Sequence, residues 1–351
     1  MKIALLTIWR EKNYGAVLQA FATIKVLQEL GHTVEILDIN LGENAKHSFL
    51  GRVANIIECF SPSCRKFESF WNNYFPQTVK YASLSEIKTN PPQADIYLVG
   101  SDQVWNPDIT KSLYSIYFLD FGTDYIKRVS YASSFGVSEW NHSELTEKIS
   151  QLFQRFNHVS CREKSGVEIL RKTFGIKAEN VIDPTLLFGK FDSFVNPKQG
   201  KRNIVCYPLG DDQELQKCAL NLAEKLGMDF VDAFNGKKLF GRIIWNRNSI
   251  EEWVSTIANA DFVITRSFHG MLFSIMFEKN FVVLANQKGR SARLTDFLET
   301  IGLKERFFNS VAEIDKSDIL SLPIDYSLII PKIRALRNQS LSILNSMLNN
   351  D

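Results

Sequence analysis

The feature that most constrains this chain is its regular alternation of short apolar runs with helical patterns. Residues 3–8 are an apolar run of the length and composition of a buried parallel strand. Residues 16–30 carry apolar side chains at helical spacing, and Gly31 follows them as a natural helix stop. Residues 34–39 are a second apolar run. The opening of the chain therefore predicts a strand–helix–strand unit of a parallel sheet.

The same alternation continues along the chain in two series. In the first series we predict strands at 96–100, 128–134, 158–162 and 180–182, with helices at 51–58, 64–72, 143–156 and 164–174. In the second series, strands at 203–209, 229–234, 261–265 and 281–285 alternate with helices at 212–226, 249–259, 270–279 and 291–301. The pattern indicates an α/β fold made of two Rossmann-like domains with mainly parallel sheets.

The domain boundaries follow from where the alternation breaks. Residues 1–186 are predicted to form the N-terminal domain, and 187–202, which lack apolar periodicity, are interpreted as a linker. Residues 203–326 are predicted to form the C-terminal domain, and 327–351 a C-terminal amphipathic helix.

Composition excludes several classes of protein. The 351 residues include 41 Lys and Arg against 39 Asp and Glu, a net charge of +2, which is too balanced for bulk binding of nucleic acid. The sequence contains no run of 18 apolar residues, so no membrane span is predicted, and the N-terminus lacks the features of a signal peptide. The five cysteines show no C-x-x-C spacing, so we expect reduced thiols in a cytoplasmic protein, and no metal-ligand set is evident.

Polar clusters follow several of the predicted strands, where parallel sheets bind their ligands. The first is Asn13, Tyr14 and Gly15, which join a strand to a helix. Backbone amides at that helix start could receive an anion or a sugar hydroxyl, and a simple turn explains the pattern equally well. No G-x-G-x-x-G motif and no P-loop lysine are present, so a nucleotide fingerprint is absent.

The second cluster is Ser101, Asp102 and Gln103, with Trp105 close behind. Carboxylate and amide groups bind sugar hydroxyls, and an indole stacks on the apolar face of a sugar ring. The set therefore favours a carbohydrate site. The alternative is a capped turn with a buried tryptophan.

Arg162 ends another predicted strand. A guanidinium there could make a two-pronged contact with a phosphate or a carboxylate. A salt bridge with Glu163 or another neighbour is an equally good interpretation.

The sharpest cluster runs from residue 265 to 270, between an apolar strand and an apolar helix. Arg266, Ser267, His269 and Gly270 place a cation, a hydroxyl and an imidazole at a helix N-terminus, which suits an anion and a proton transfer. The alternative for His269 is helix capping. Further on, Lys288, Arg290 and Arg293 could hold a phosphate or a membrane headgroup, or could form a solvated basic face.

Six segments, in this order, resemble the polysaccharide pyruvyl transferase family. They are NYGAVLQA at 13–20, VGSDQVWNP at 99–107, SYASSFG at 130–136, SCREKSG at 160–166, VIDPTLL at 181–187 and ITRSFHGMLFSIMF at 264–277. The resemblance implies a glycosyltransferase B-like architecture, with the acceptor side in the N-terminal domain and the donor side in the C-terminal one. It also implies transfer of the pyruvyl group of phosphoenolpyruvate onto a sugar of a cell-surface polysaccharide, such as a capsule or exopolysaccharide, or its precursor, with formation of a ketal and release of phosphate.

The resemblance also implies roles for residues. His269 matches the imidazole that the family uses near phosphoenolpyruvate, and Arg162 matches an arginine for the donor. Some members carry Arg-Leu-His-Gly, whereas here Arg266 lies one place earlier, so Arg290 or Arg293 could replace the missing arginine. The full assignment is catalytic His269, Arg266 and Asp102; donor-binding Arg162, Ser267, Gly270, Arg290 and Arg293; and acceptor-binding Asn13, Tyr14, Gly15, Ser101, Gln103 and Trp105.

The implied reaction needs phosphoenolpyruvate as donor and a saccharide acceptor, which could be lipid-linked, and it needs no metal or other cofactor because arginines supply the charge stabilisation. A peripheral contact at the inner face of the membrane is compatible with this. One alternative is a nucleotide-sugar-dependent glycosyltransferase of the same architecture. Another is a non-catalytic saccharide-binding or assembly protein.

Overall fold

A computed structural model describes residues 1–39, 57–58, 60–198, 200–208, 210, 212–239, 242–245, 247–286, 291–319 and 322–349. These residues form two compact units. Unit 1 contains 1–39, 74–188 and 332–349, and unit 2 contains 57–58, 60–73 and the described residues between 189 and 331.

The strands form two large sheets and two small ones. In chain order they are Lys2–Leu6 (β1), Thr33–Ile39 (β2), Gln77–Tyr81 (β3), Ile96–Val99 (β4), Lys127–Ser130 (β5), Ser160–Cys161 (β6), Glu179–Asn180 (β7), Asn203–Tyr207 (β8), Asp229–Asp232 (β9), Lys237–Leu239 (β10), Arg242–Trp245 (β11), Phe262–Thr265 (β12), Asn280–Leu284 (β13) and Phe307–Phe308 (β14).

The α-helices connect these strands. In chain order they are Tyr14–Glu29 (α1), Pro62–Tyr74 (α2), Leu84–Thr89 (α3), Pro107–Thr110 (α4), Ser143–Phe153 (α5), Lys164–Ile169 (α6), Pro184–Phe188 (α7), Gln213–Leu226 (α8), Ile250–Ala258 (α9), Phe268–Met276 (α10), Ala292–Ile301 (α11), Val311–Asp315 (α12) and Tyr326–Asn349 (α13). A π-helical turn, Leu170–Phe174, continues α6, and 3-10 turns cover Lys111–Phe118, Asp192–Phe194 and Lys304–Arg306.

The large sheet of unit 1 has the strand order β3-β2-β1-β4-β5, and all its pairings are parallel. Strand β4 is buried along its whole length, which explains its unbroken apolar sequence. The chain order reverses between β1 and β4, so the carboxyl ends of these two strands form the topological switch point where such sheets bind ligands.

The large sheet of unit 2 repeats this design with the order β14-β13-β12-β8-β9, again all parallel. Its switch point lies between β8 and β12. Two smaller pairs complete the picture: β6 with β7 is parallel, and β10 with β11 is an antiparallel hairpin. The predicted α/β fold with mainly parallel sheets is therefore confirmed.

Several elements differ from the sequence prediction. Strand β5 ends at Ser130 rather than at residue 134, because Ala132 adopts a positive φ of 54° that turns the chain out of the sheet. Strand β3 and the β10–β11 hairpin were not predicted, since β3 is half exposed and lacks a clean alternation. The predicted helix at 51–58 lies almost wholly outside the described residues.

Helix α2 belongs to unit 2 up to Asn73, although the sequence prediction placed all of 1–186 in one domain. Its apolar face explains the difference. The Phe70 ring lies 5.9 Å from that of Phe194, and the Arg247 guanidinium lies 4.5 Å from the centroid of the Phe67 ring.

The segment interpreted as a linker is also packed. Phe191 is fully buried and its ring lies 4.9 Å from that of Phe273, so the segment contributes to the core of unit 2, to which it belongs from residue 189 onward. From residue 332 onward, α13 packs on unit 1: the Ile182 amide donates to Ser340 at 3.0 Å and Arg337 donates to the Phe188 carbonyl at 2.8 Å.

No helix in the described part of the chain is long and apolar enough to cross a membrane. The four cysteines within the described ranges, Cys64, Cys161, Cys206 and Cys218, are buried and unbridged. Burial raises the pKa of the Cys161 thiol, which disfavours the reactive thiolate.

Candidate functional site

The turn between β12 and α10 lies at the switch point of unit 2. Thr265 donates its hydroxyl to the Tyr207 carbonyl at 2.8 Å, which ties the end of β12 to the end of β8. The same hydroxyl oxygen accepts from the Ser267 amide at 2.9 Å. Ser267 in turn caps α10 by accepting from the Gly270 amide at 3.2 Å. This chain of bonds fixes the first turn of α10 over two adjacent strand ends.

Gly270 is needed for that close approach. A Cβ atom at this position would lie 2.5 Å from the Thr265 Oγ1 atom and 2.9 Å from the Tyr207 ring. Gly270, predicted to contact the donor, is therefore required by packing, because a side chain at this position would overlap Thr265 and Tyr207. It lets the helix start sit directly on the carboxyl ends of β8 and β12.

His269 is the second residue of α10 and is 6 % exposed. The first turn of a helix carries backbone N–H groups that point toward its N-terminus and favour negative charge. Arg293, on α11, adds a cation whose guanidinium carbon lies 5.5 Å from the Phe268 ring centroid, one residue from His269. The turn therefore brings together an imidazole, a helix N-terminus and an arginine. Arg290 and Lys288 lie outside the described residues.

Arg266 does not have the place that the prediction gave it. Its Nε atom donates to Asp212 at 2.5 Å, its Nη2 atom to Glu214 at 2.7 Å and its Nη1 atom to the Ala285 carbonyl at 2.5 Å. Two carboxylates thus outnumber its single positive charge, and its contacts tie β12 to α8 and β13. Arg266 is therefore a structural cross-link that holds the turn between β12 and α10, with Asp212, Glu214 and the Ala285 carbonyl as its partners.

Arg162 lies in a buried polar network at the carboxyl end of the sheet in unit 1. Its Nη1 atom donates to Asp183 at 2.6 Å and to the Ser101 hydroxyl at 3.2 Å. Its Nη2 atom lies 3.7 Å from Asp102. Burial alone would lower the pKa of Arg162, but the charges of Asp183, Asp102 and Glu163 outweigh burial and raise it. Arg162 therefore remains charged, among three carboxylates.

This network changes the interpretation of Arg162. One guanidinium and three carboxylates carry a formal charge of about −2 in total, and this charge repels an anionic donor at short range. The salt bridge that the sequence left open as an alternative is present, with Asp183 as its partner rather than Glu163. Polar hydroxyl groups suit this environment better than phosphate does.

Asp102 is the most accessible carboxylate of the network, with 17 % of its side chain exposed against 1 % for Asp183. It has a positive φ of 76°, which is uncommon for any residue other than glycine. Its carbonyl accepts from the Ser134 amide at 3.0 Å, and its carboxylate accepts from the Gln103 amide at 2.9 Å. Such strain, held by surrounding contacts, is typical of functional positions.

Glu163 fixes the opposite loop. Its Oε1 atom accepts from the Ser134 hydroxyl and the Phe135 amide, each at 2.9 Å, and from the Gly136 amide at 3.3 Å. Gly136 has a φ of 69°, and a Cβ atom there would overlap the Gln103 side chain. Glu163 thus binds the loop after β5 to the loop after β6, and Gln103 of the loop after β4 lies against Gly136.

Trp105 is a correction to the predicted acceptor site. The residue is 0 % exposed, and its ring lies 5.9 Å from Phe118 and 5.2 Å from Phe153. Its indole N–H donates to the Tyr117 carbonyl at 3.1 Å. Trp105 therefore belongs to the core, and no face of the indole is open to a sugar.

The loop before α1 fits the simple-turn alternative. Asn13 caps α1 by accepting from the Ala16 amide at 3.2 Å. Tyr14 is fully buried and Gly15 is buried as well, so their side-chain positions are packed into unit 1. Sequence alone did not distinguish this cap from a ligand loop.

Two acids that the prediction left out prove central. Asp183 binds Arg162 and also accepts from the Thr185 amide at 2.9 Å, and Asp212 binds Arg266. The sequence did carry a signal for each: Asp183 lies just past a predicted strand, and Asp212 lies at the start of a predicted helix. A third residue, Arg247, is 4 % exposed and lies between the Phe67 and Phe234 rings; no pattern in the sequence indicated it.

Among the described residues, no group of three His, Cys, Asp or Glu side chains is placed to hold a metal ion.

Several solved structures share the fold of this chain. A putative UDP-N-acetylglucosamine 2-epimerase from Listeria monocytogenes aligns with a TM-score of 0.55 at 12 % identity, over 100 % of this chain and 97 % of that one. The UDP-GlcNAc 2-epimerases of Neisseria meningitidis, at 10 % identity, and Methanocaldococcus jannaschii, at 11 %, each give a TM-score of 0.51 and cover both chains completely. At such identities the likeness shows the fold alone, an α/β chain of glycosyltransferase B-like architecture.

The family model for polysaccharide pyruvyl transferase matches residues 13–288, which is most of the chain. The protein therefore belongs to the polysaccharide pyruvyl transferase family, a family of transferases, as the resemblance implied. No curated protein matches the sequence.

Proposed function

We propose that this protein transfers the pyruvyl group of phosphoenolpyruvate onto two hydroxyls of a saccharide, forming a ketal and releasing phosphate. The observation that carries the proposal is the placement of His269 in the first turn of α10, at the switch point of unit 2. Membership of the family supports the reaction class. The buried carboxylates of unit 1 support the choice of a hydroxyl-bearing acceptor.

Donor binding is assigned to unit 2. Phosphoenolpyruvate carries a phosphate and a carboxylate, so its site must supply positive charge at two points. The N-terminus of α10 supplies one, through its backbone N–H groups and the dipole. Arg293 supplies the other, because its guanidinium carbon lies 5.5 Å from the ring centroid of Phe268, the residue next to His269. Arg290 remains a further predicted donor residue.

In the proposed reaction His269 donates a proton to the methylene carbon of phosphoenolpyruvate, and a sugar hydroxyl adds to the neighbouring carbon. The C–O bond to phosphate then breaks, and a second hydroxyl attacks the resulting oxocarbenium ion to close the ketal. The two hydroxyl protons that are released balance the proton gained by carbon and the proton taken by phosphate. His269 returns to its starting form by accepting one of them.

Acceptor binding is assigned to unit 1. Asp102 orients the attacking hydroxyl by accepting its hydrogen bond, and Ser101 and Gln103 stand beside it on the same loop. Arg162, which was predicted to bind the donor, is assigned instead to the acceptor side, where it holds Asp102 and Asp183 in place. The excess of carboxylates keeps the anionic donor from occupying the same position.

Calorimetric titration with phosphoenolpyruvate, at low salt, tests the proposal on the full chain. Wild type is expected to bind saturably, and His269→Ala is expected to bind about tenfold more weakly or worse, since a hydrogen bond to a charged group is lost. His158→Ala, which changes a histidine of unit 1, is the matched control and is expected to match wild type.

Two results would count against the proposal. Equal binding by wild type and His269→Ala would remove the site. Binding of a UDP- or GDP-sugar with no response to phosphoenolpyruvate would instead make the protein a nucleotide-sugar-dependent glycosyltransferase.

A further inference from the structure

The reaction outlined above makes no use of Gln19, a glutamine of α1 that is 0 % exposed. It lies in the segment 13–20, which the sequence singles out. Its Nε2 atom donates to the Thr7 hydroxyl oxygen at 3.0 Å, to the Ile8 carbonyl at 3.0 Å and to the Ala16 carbonyl at 2.8 Å. All three acceptors lie between the end of β1 and the first turn of α1, so the amide is committed to this corner of unit 1.

These acceptors fix the orientation of the amide. The Ile8 and Ala16 carbonyls can only accept, so the nitrogen of the Gln19 amide, and not its oxygen, must face them. The Oε1 atom then points away, and it is buried with no hydrogen-bond partner in the part of the chain that the structure describes. A buried, unpaired oxygen costs stability, so packing alone does not explain a glutamine at this position.

The amide also sets the direction of the Thr7 hydroxyl. Because Gln19 donates to the Thr7 oxygen, the hydroxyl proton has to point elsewhere, and the Ser101 carbonyl accepts it at 2.8 Å. Thr7 follows β1 directly, and Ser101 lies two residues past the end of β4. A relay of two hydrogen bonds therefore joins α1 to the loop that carries Asp102, across the switch point of unit 1.

The start of that loop is held at three consecutive carbonyls, those of residues 100–102. The Ser133 hydroxyl donates to the first at 2.9 Å, Thr7 to the second at 2.8 Å and the Ser134 amide to the third at 3.0 Å. Two of these bonds come from the loop after β5, and the Thr7 bond comes from the opposite side, after β1. The positive φ of Asp102, 76°, is a strained conformation that needs such support.

We infer that Gln19 and Thr7 are positioning residues for the saccharide acceptor. They act through the Ser101 carbonyl, which fixes the backbone of Asp102 and so the place of its carboxylate. Both side chains are buried, so neither touches the substrate. The inference rests on the proposed function, because that function assigns Asp102 to the attacking hydroxyl.

The first test is phosphate release from phosphoenolpyruvate with the methyl glycosides of galactose and glucose as acceptors. Gln19→Met and Thr7→Val keep the shape of the side chain and remove its hydrogen bonds. Each is expected to lower kcat/KM for the acceptor about 10- to 100-fold, the cost of a small misplacement of a catalytic group. The KM for phosphoenolpyruvate is expected to stay at the wild-type value. Thr7→Ser, which keeps the hydroxyl, is the matched control and is expected to behave as wild type.

A double-mutant cycle distinguishes positioning from plain packing. If Gln19 acts through Asp102, Gln19→Met is expected to cause no further loss of kcat/KM in an Asp102→Ala background. An undiminished loss in that background would overturn the inference, and so would wild-type kinetics in both Gln19→Met and Thr7→Val. If Gln19→Met does not fold, Thr7→Val takes its place in the cycle.

Hydrogen exchange adds a measurement that needs no acceptor, and it decides if neither glycoside is turned over. The Gln103 and Ser134 amides, which Asp102 binds, are expected to exchange about tenfold faster in Gln19→Met and Thr7→Val, the effect of losing one buried hydrogen bond. The amides of β1 and β4 are expected to stay protected. Unchanged exchange, or faster exchange throughout β1 and β4, would overturn the inference.

Calorimetry with phosphoenolpyruvate on the same samples separates the two proposals. Wild-type binding of phosphoenolpyruvate, together with unchanged exchange in the variants, removes the positioning role alone. Absence of phosphoenolpyruvate binding, together with faster exchange confined to the Asp102 loop, removes the pyruvyl transfer and leaves the relay as the support of Asp102.

Discussion

Arg162 in unit 1 and Arg266 in unit 2 occupy equivalent places, each directly after a strand, and both are bound by acids at short distance. The surroundings of the two arginines differ. Around Arg162 the acids are buried and outnumber the cation, whereas Glu214 beside Arg266 is 56 % exposed and His269 follows three residues later. The comparison teaches that a buried arginine at a strand end can be scaffold in both units. Acids outnumber the arginine in both units, and what distinguishes unit 2 is the exposure of Glu214 and the N-terminus of α10, with Arg293 beside it, that follows Arg266.

The largest expected effect tests whether unit 2 binds the donor and unit 1 binds the acceptor. His269→Ala is expected to lower kcat for phosphate release from phosphoenolpyruvate by about 10²–10⁴-fold, the usual contribution of a positioned acid. Asp102→Ala is expected to raise the KM for the saccharide acceptor and to leave the KM for phosphoenolpyruvate unchanged, because it lies on the acceptor side. Phosphate release is measured with methyl glycosides as acceptors, each substrate being varied in turn. If both variants shifted the same constant, the assignment of donor and acceptor to separate units would be wrong.

A second comparison concerns stability. Arg162→Met leaves Asp183, with 1 % of its side chain exposed, as a buried charge without its cation, and breaking such a pair costs about 3–5 kcal/mol. Arg266→Met leaves Asp212, which also caps α8, and the exposed Glu214, so a smaller loss of about 1–3 kcal/mol is expected.

Hydrogen exchange measured along a urea titration resolves the two units and so assigns each loss to its own sheet. Arg162→Lys serves as the control that keeps the charge, and it is expected to recover part of the loss. Equal losses in the two Met variants would show that the exposure of the acids does not govern the cost.

The sequence predicted the fold better than it predicted the site. Short apolar runs bounded by turns report burial on both faces, and this is why β1, β4, β8, β12 and β13 were all found. The β10–β11 hairpin was not predicted. The packing of α2 in unit 2 depends on tertiary contacts, such as that of Phe70 with Phe194, which no local sequence pattern encodes.

For the candidate site, the sequence located turns that follow strands, but not which side chains are already bound within those turns. It placed Arg162 and Arg266 at strand ends and Trp105 in the loop after β4. The two arginines are bound by acids about 20 and 50 residues away in sequence, and the tryptophan is enclosed by rings from other elements. Spacing can predict that a polar residue leaves a strand. It cannot predict which distant carboxylate folds back onto it.

The two glycines next to the proposed sites offer a third comparison. A Cβ at Gly270 would meet the Thr265 side chain and the Tyr207 ring, while a Cβ at Gly136 would meet the flexible end of Gln103. Each Ala variant is expected to destabilise its own unit by about 1–3 kcal/mol, through overpacking.

A double-mutant cycle separates the two cases. Gln103→Ala is expected to relieve part of the cost of Gly136→Ala and none of the cost of Gly270→Ala, with hydrogen exchange as the measurement. The part that remains at Gly136 reflects its φ of 69°, which an alanine adopts only with strain. Full relief at Gly136 would mean that the backbone there is not strained.

The smallest expected effect concerns Asp232, at the end of β9 in unit 2. Burial raises the pKa of this carboxyl above its ordinary 3.8, and hydrogen bonds from the Phe234 amide and Gln216 oppose burial without cancelling it. A raised pKa means that the folded state holds the proton more tightly than the unfolded state does. Its contribution to stability is therefore full below pH 3.8 and is lost as the pH rises through the folded-state pKa.

Asp232→Asn removes that dependence. The variant is expected to match wild type below pH 3.8 and to be slightly more stable at neutral pH, because the amide keeps an acceptor for the Phe234 amide without a buried charge. Urea unfolding at several pH values measures the difference, with Asp229→Asn, an exposed change in the same strand, as the control. A variant less stable than wild type at neutral pH would show that the Asp232 charge is needed at this edge of the sheet. Unit 2 would then resemble unit 1 in keeping a charged carboxylate at a strand end, and the contrast drawn between the two units would fail at this point.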